Sequence, residues 1–387
     1  MKIQSETRTL TSGPAHHFFG YYSICPWNAA QTYLVCLESS FQDHLPEPGE
    51  MAGIGVVDAQ TGQFERVAET GAWNLQQGAM LHWNPLAPDT ELIHNDRVDG
   101  DIVSRILNIH SGNSRVLPRP VSAVSHNGHY ALSLTYGRLQ RMRKVVGYGG
   151  ASDPNAHDPH PANDGIFLMD LRTGDCKLAV SIQQVYDLLV DANPILREQH
   201  MWFNHVAFNR SDNRFFFLAR CWEDDHLQTG MYTANLDGSE LREVVPFGKS
   251  VSHFDWRNDT EILVTYDLRG RGREHVLHVD GSPEYRVIGD GLLNFDGHPS
   301  FSPDSQWFVT DKNVLDSLEK WLLLCRVADE QLEVLEKFPM YERRFLGGDL
   351  RCDLHPRWNR DGTAICVDAQ APDRTRQLHI VNVSFDD

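Results

Sequence analysis

Short apolar runs recur along the whole chain, separated by polar turns rich in Asn, Asp, Pro and Gly. One unit repeats: an aromatic or apolar opener, a polar turn, then an apolar strand. It reads CPWNAAQTYLVCLES from Cys25, LHWNPLAPDTELIHND from Leu81, AVSHNGHYALSLTYGR from Ala123 and VAFNRSDNRFFFLAR from Val206. It continues as FDWRNDTEILVTYD from Phe254, PSFSPDSQWFVTD from Pro299 and PRWNRDGTAICVDAQ from Pro356, seven copies in all. Such turns join two short strands into a hairpin, because Asn, Asp and Gly tolerate the dihedrals a tight turn needs. A second hairpin follows most copies, as in GIGVVDAQTGQFERVAE and GMYTANLDGSELREVV. Two hairpins make a four-stranded antiparallel blade, so the pattern predicts an all-β fold, a seven-bladed β-propeller. The last copy is followed by only one further strand, RQLHIVNVS. The N-terminal KIQSETRTL alternates like a strand and is predicted to close the last blade as its fourth member.

Two stretches break the period. Residues 138–165 form a long insertion that starts with Arg138, Arg141, Arg143 and Lys144, and SIQQVYDLLVDANP within 181–204 reads as partly helical. Neither suggests a separate domain, and residues 1–387 are expected to form one propeller. Long insertions in compact folds are more often functional than idle. Arg138 is therefore a candidate for binding an acidic substrate, its alternative being a solvated hairpin tip.

Composition narrows the chemistry. The net charge is −18, from 53 acidic and 35 basic residues. Such a field disfavours nucleic acid and anionic membranes as partners, and any anionic ligand must meet a local positive cluster. Seven cysteines without a CxxC pair, several inside apolar strands, fit reduced buried thiols in a cytoplasm. No stretch resembles a signal peptide or a membrane span, which also points to a cytoplasmic protein. Whether it forms a homo-oligomer is left open by the sequence.

Four histidines occupy one repeated position: His205 in HVAFN, His253 in HFDWR, His298 in HPSFS and His355 in HPRWN. Each stands three residues before the aromatic that opens an apolar run. A lone histidine there would more often be a hydrogen-bonded rim residue. Four in phase are expected to converge, and converging imidazoles bind metals or move protons. In GGDLRCDLHPRW, strand alternation puts Arg351, Asp353 and His355 on one side. Asp353 and His355 then form a two-ligand arm with His298 as the third ligand, and His253 is a further candidate. This donor mix suits Mn, Zn, Fe or Ni. His16 and His17 either extend the ring of histidines or pack under the closing strand. Tyr22, Gln77 and Trp202 sit near the same strand openings, where flat rings and amides could hold a sugar. There is no GxGxxG, Walker loop, GxSxG or HExxH, and no clear pair of catalytic carboxylates.

At these residues the chain resembles the oligogalacturonate lyases, seven-bladed propellers that act on short pectin fragments. The resemblance is weak along most of the chain and strongest in the second half, at HFDW, at the His298 opener and at HPRW. It implies a manganese ion held by His298 and His355, and it places His253 in the active centre. It also marks departures. Asp353 stands where the family has another histidine, Leu350 where it has a glutamine, and Gly230 where it has an arginine. Arg220, one strand earlier, is the candidate substitute for that arginine.

The residues and the resemblance together predict a metal-dependent lyase acting on an acidic, uronate-containing oligosaccharide by β-elimination. His205 or His253 would be the base, and Arg351 or Arg220 would hold the carboxylate. The alternatives are another metal-dependent sugar-acid enzyme, either an isomerase or a hydrolase, and a non-catalytic TolB-like propeller that binds glycan or protein.

Overall fold

The computed structural model describes residues 2–386. It contains seven four-stranded antiparallel sheets, each built from strands in chain order except the last. This is the seven-bladed β-propeller. The last blade takes its fourth strand from the other end of the chain: Lys2–Thr9 pairs antiparallel with Arg376–Asp386.

The turn of each repeat explains its spacing. The Asn28 amide oxygen accepts from the backbone N–H groups of Thr32 and Tyr33. Asn209 does the same for Asn213 and Arg214, and Asn359 for Thr363 and Ala364. A side chain that caps the turn from within fixes the hairpin without help from the rest of the fold. The aromatic opener then ties one blade to the next. Trp83 Nε1 donates to the Pro26 carbonyl, Trp256 Nε1 to Ala207 and Trp358 Nε1 to Ser300. Within a blade the middle strands are covered on both faces, so Arg214–Glu223 reads as a nearly continuous apolar run. The outermost Arg242–Val245 is mostly exposed or half-buried.

The chain divides into two compact units. One comprises Met1–Arg97, Arg105–Val116 and Asp296–Asp387, and the other Val98–Ser104 and Leu117–Phe295. In the first unit a large apolar cluster joins the sixth and seventh blades, with Trp307, Leu322, Phe338, Phe345, Trp358 and Val381 among its members. In the second unit both irregular stretches contain helix. The first begins with α1 (Tyr136–Met142), an element the alternation did not predict. The second contains α2 (Ile182–Leu189), which starts at a reciprocal cap between Ser181 and Gln184. Among the described residues no helix is long and apolar enough to cross a membrane. All seven cysteines are free thiols.

Candidate metal centre

Three of the predicted ligands meet. One donor atom each from His298, Asp353 and His355 lies within 4.8 Å of the other two, and all three residues are buried. They belong to the first compact unit, on the segments that lead into the first strands of the sixth and seventh blades. Asp311, on the strand Trp307–Val314, pins both segments. Its carboxylate accepts from the His298 backbone N–H at 2.8 Å and from the Leu354 N–H at 3.2 Å. It also accepts from His298 Nδ1 at 2.8 Å. That last bond turns His298 Nε2 towards Asp353 Oδ2, 3.9 Å away. His355 Nε2 approaches the same oxygen at 4.0 Å, and the two imidazoles meet edge to face with centroids 4.5 Å apart.

Asp353 is also held by two cations. Lys320 Nζ, with no exposed side-chain surface, lies 2.6 Å from Oδ1. Arg351 Nε lies 2.6 Å from Oδ2 and its side chain is 23% exposed. The charge states follow. Burial alone would raise the Asp353 pKa, but Lys320 and Arg351 outweigh it and hold the carboxyl well below its usual range. Burial lowers the pKa of His298, yet the Asp311 carboxylate reverses this and leaves it raised. Burial and the neighbouring His298 push His355 well below the ordinary imidazole value, so it is neutral and able to offer a lone pair.

This donor set fits a divalent ion. Ligand atoms about 2.1 Å from a shared ion stand roughly 3.4 Å apart in a tetrahedral arrangement, so the three groups need to close by at most about 1.4 Å. A carboxylate on the far nitrogen of a ligating histidine is the usual device for fixing its orientation, and Asp311 supplies it. His355 has φ +44°, a left-handed conformation costly for a side chain with a Cβ. Such strain tends to persist where a side chain must be aimed at a functional site.

The remaining predicted residues fall in several places. Tyr22 joins the centre: its ring stacks on His355 at 5.9 Å and meets His298 edge-on at 5.1 Å. Gln77 lies buried in the turn from Asn74 to Gly78. Its neighbour Gln76 donates to the Arg351 carbonyl at 2.8 Å and so links this turn to the centre. His17 is buried elsewhere, with Nδ1 on Gln377 and Nε2 3.4 Å from Glu38. His205, His253 and Arg220 lie in the second unit. His205 is the extra residue of a bulge in Trp202–Phe208, with φ +62°, and its ring packs on Phe254. Bulges re-aim side chains, and here the bulge turns a half-buried imidazole. Arg220 reaches the Val251 carbonyl, two residues before His253. Trp202 is fully buried and packs on Trp222. Arg138, instead of facing solvent, donates to the carbonyls of Met201, Asn155, Asp158 and Pro159 and holds the insertion together.

Two residues at the centre were not singled out in the sequence. Asp311 had a signal: it ends the apolar strand FVTD as Asp368 ends ICVD. The Asp368 carboxylate likewise accepts backbone N–H groups, from Phe19 and Gly20, on the segment approaching the next blade. Lys320 has no local signal, because nothing in EKWLLLCR indicates that the lysine turns inward.

No protein-family model matches the chain, and no curated protein sequence does. Among solved structures it is similar to an oligogalacturonate lyase from Vibrio parahaemolyticus, at 12% identity and a TM-score of 0.67, covering 99% of this chain and 97% of that one. An oligogalacturonate lyase in complex with manganese gives the same coverage and TM-score at 14% identity. The β-propeller domain of the trilobed protease from Pyrococcus furiosus aligns over 94% of both chains, with 9% identity and a TM-score of 0.52. At these identities the shared property is the fold, and the likeness to the oligogalacturonate lyases extends over nearly the full length of both chains.

Proposed function

We propose that this protein is a metal-dependent lyase that cleaves a uronate-containing oligosaccharide of oligogalacturonate type by β-elimination. One observation carries the reading. A chain of net charge −18 buries two imidazoles and a carboxylate beside Lys320 and Arg351. The fixed charges there cancel, with Asp311 and Asp353 against Lys320 and Arg351. A divalent ion on His298, Asp353 and His355 would leave the centre positive and suited to an anionic ligand. Manganese is the proposed ion, on the strength of the manganese-bound lyase of the same fold.

The C5 proton of a uronate is a very weak acid, because its removal builds negative charge towards the carboxylate. When bound, the ion supplies positive charge beside that carboxylate and lowers the cost. Arg351 or Arg220 orients the carboxylate through paired N–H donors. His253 or His205 takes the C5 proton; the family resemblance favours His253 and the strained bulge favours His205. The C5–H electron pair becomes the C4=C5 double bond, the C4–O bond breaks, and the leaving sugar oxygen is protonated by water. A cytoplasmic location completes the proposal, supported by the seven unpaired thiols.

The test is to incubate the purified, manganese-supplemented protein with short galacturonate oligomers and follow the ultraviolet absorbance of the unsaturated uronate. A rise that a chelator abolishes supports the reading. Consumption of substrate without absorbance would replace it with a sugar-acid isomerase or hydrolase, and no consumption of any uronate oligomer would remove the lyase.

A further inference from the structure

The two oxygens of Asp353 are held by cations of different mobility. Oδ1 belongs to Lys320, whose side chain is wholly buried on the strand Glu319–Arg326. It cannot leave without stranding an ammonium in the protein interior. Oδ2 belongs to Arg351, which is partly exposed and whose guanidinium, among the described residues, is otherwise tied only by its Nη1 to the Gly348 carbonyl at 3.0 Å. Oδ2 is also the oxygen that faces both imidazoles, at 3.9 and 4.0 Å. A divalent ion seated between the imidazoles and this carboxylate would therefore meet Arg351 as its direct competitor, and Lys320 only as a neighbour on the far oxygen.

We propose that Arg351 is a metal-displaced positioning residue. The guanidinium closes the centre on Asp353 Oδ2 in the metal-free protein, and the incoming ion releases it to bind the substrate carboxylate. This rests on the metal-dependent reading above and adds an order of events to it. Metal binds first, and the substrate-holding arm becomes available as a consequence. Lys320 stays on Oδ1 throughout and keeps Asp353 ionised and oriented. The exchange is reciprocal: whatever holds Arg351 away from Oδ2 strengthens metal binding by the same factor that metal strengthens carboxylate binding.

The experiment measures Mn2+ affinity by electron paramagnetic resonance of the free ion, in the full-length protein without substrate. Wild type, Arg351→Ala and Arg351→Lys are compared, with circular dichroism to confirm folding. Removing the competitor should tighten Mn2+ binding about tenfold, within the usual range for such couplings. Arg351→Lys separates competition for one oxygen from simple charge repulsion. It keeps the charge but lacks the Nε–H that occupies Oδ2, so it should also bind Mn2+ more tightly than wild type. Equal affinity in all three proteins, or tightening in Arg351→Ala alone, would overturn the displacement and leave the metal centre standing. Absence of Mn2+ binding in all three would overturn the metal centre itself, and the displacement with it.

Discussion

Lys320 gives the sharpest prediction about what holds the centre together. Lys320→Met preserves the length and apolar stem of the side chain but removes the ammonium 2.6 Å from Asp353 Oδ1. Both partners are essentially closed to solvent, at 0% and 3% side-chain exposure. Breaking a buried pair by deleting one member typically costs about 3–5 kcal/mol, because the other charge stays buried without compensation. Arg351 still holds Oδ2, so the lower end, about 3 kcal/mol, is expected. Unfolding entropy near ~2.1 cal/mol/K per residue would make this a fall of roughly 4 °C in Tm, if the chain unfolds as one cooperative unit. The assay is calorimetry of wild type, Lys320→Met, Asp353→Leu and the double variant, all without metal. Lys320→Met leaves the buried Asp353 with Arg351 alone, Asp353→Leu takes the paired carboxylate from the buried Lys320, and each should lose stability. The double variant should recover most of the loss, since neither charge remains. A Lys320→Met protein melting within about 1 °C of wild type would refute the reasoning, as would a double variant whose losses simply add.

Further predictions follow from the same geometry. Asp311→Asn keeps the shape but weakens the hold on His298 Nδ1, and should cost about 10–100-fold in Mn2+ affinity. His253→Ala or His205→Ala, whichever removes the base, should lower turnover by about 10²–10⁴-fold with the fold intact, and full activity in both would exclude the assignment. Stability should also depend on mild acid. His278 and His379 are buried with pKa lowered to about 4, by desolvation first in both cases. Below about 6.5 the unfolded chain takes up protons that the folded chain refuses, so stability is full above that pH and falls as pH drops towards 4. Each histidine contributes about 3 kcal/mol at most, and a Tm that stays flat from pH 7 to about 4.5 would contradict this. Loss of one interblade indole bond in Trp83→Phe should cost about 1 kcal/mol, read by urea unfolding.

The fold was legible because the repeat carries its own instructions. Asn28, Asn209 and Asn359 cap their turns from within, and Trp83, Trp256 and Trp358 tie neighbouring blades by one bond each, so seven local patterns sufficed. The N-terminal strand was legible for the complementary reason: the last copy lacked a partner and KIQSETRTL had the right alternation. The meeting of His298, Asp353 and His355 followed from phase along the repeat. What surrounds them did not. Lys320 turns inward only because Asp353, thirty-three positions later, supplies a carboxylate, and no local pattern encodes that pairing. Arg138 reads in the sequence as a substrate-binding candidate or else a solvated tip, but three main-chain carbonyls of the insertion and that of Met201 gather around its guanidinium. Irregular loops satisfy their carbonyls through such side chains, and apolar periodicity gives no warning of it.

The central claim is elimination at a metal-bound uronate, and the most direct test weighs the products. Trigalacturonate should be incubated with the manganese-loaded protein and the fragments analysed by mass spectrometry alongside the ultraviolet trace. The account predicts fragment masses that sum to that of the substrate, one fragment carrying the C4=C5 double bond, and loss of both signals in His298→Ala. Fragments that together exceed the substrate by one water molecule would mean hydrolysis and would contradict it.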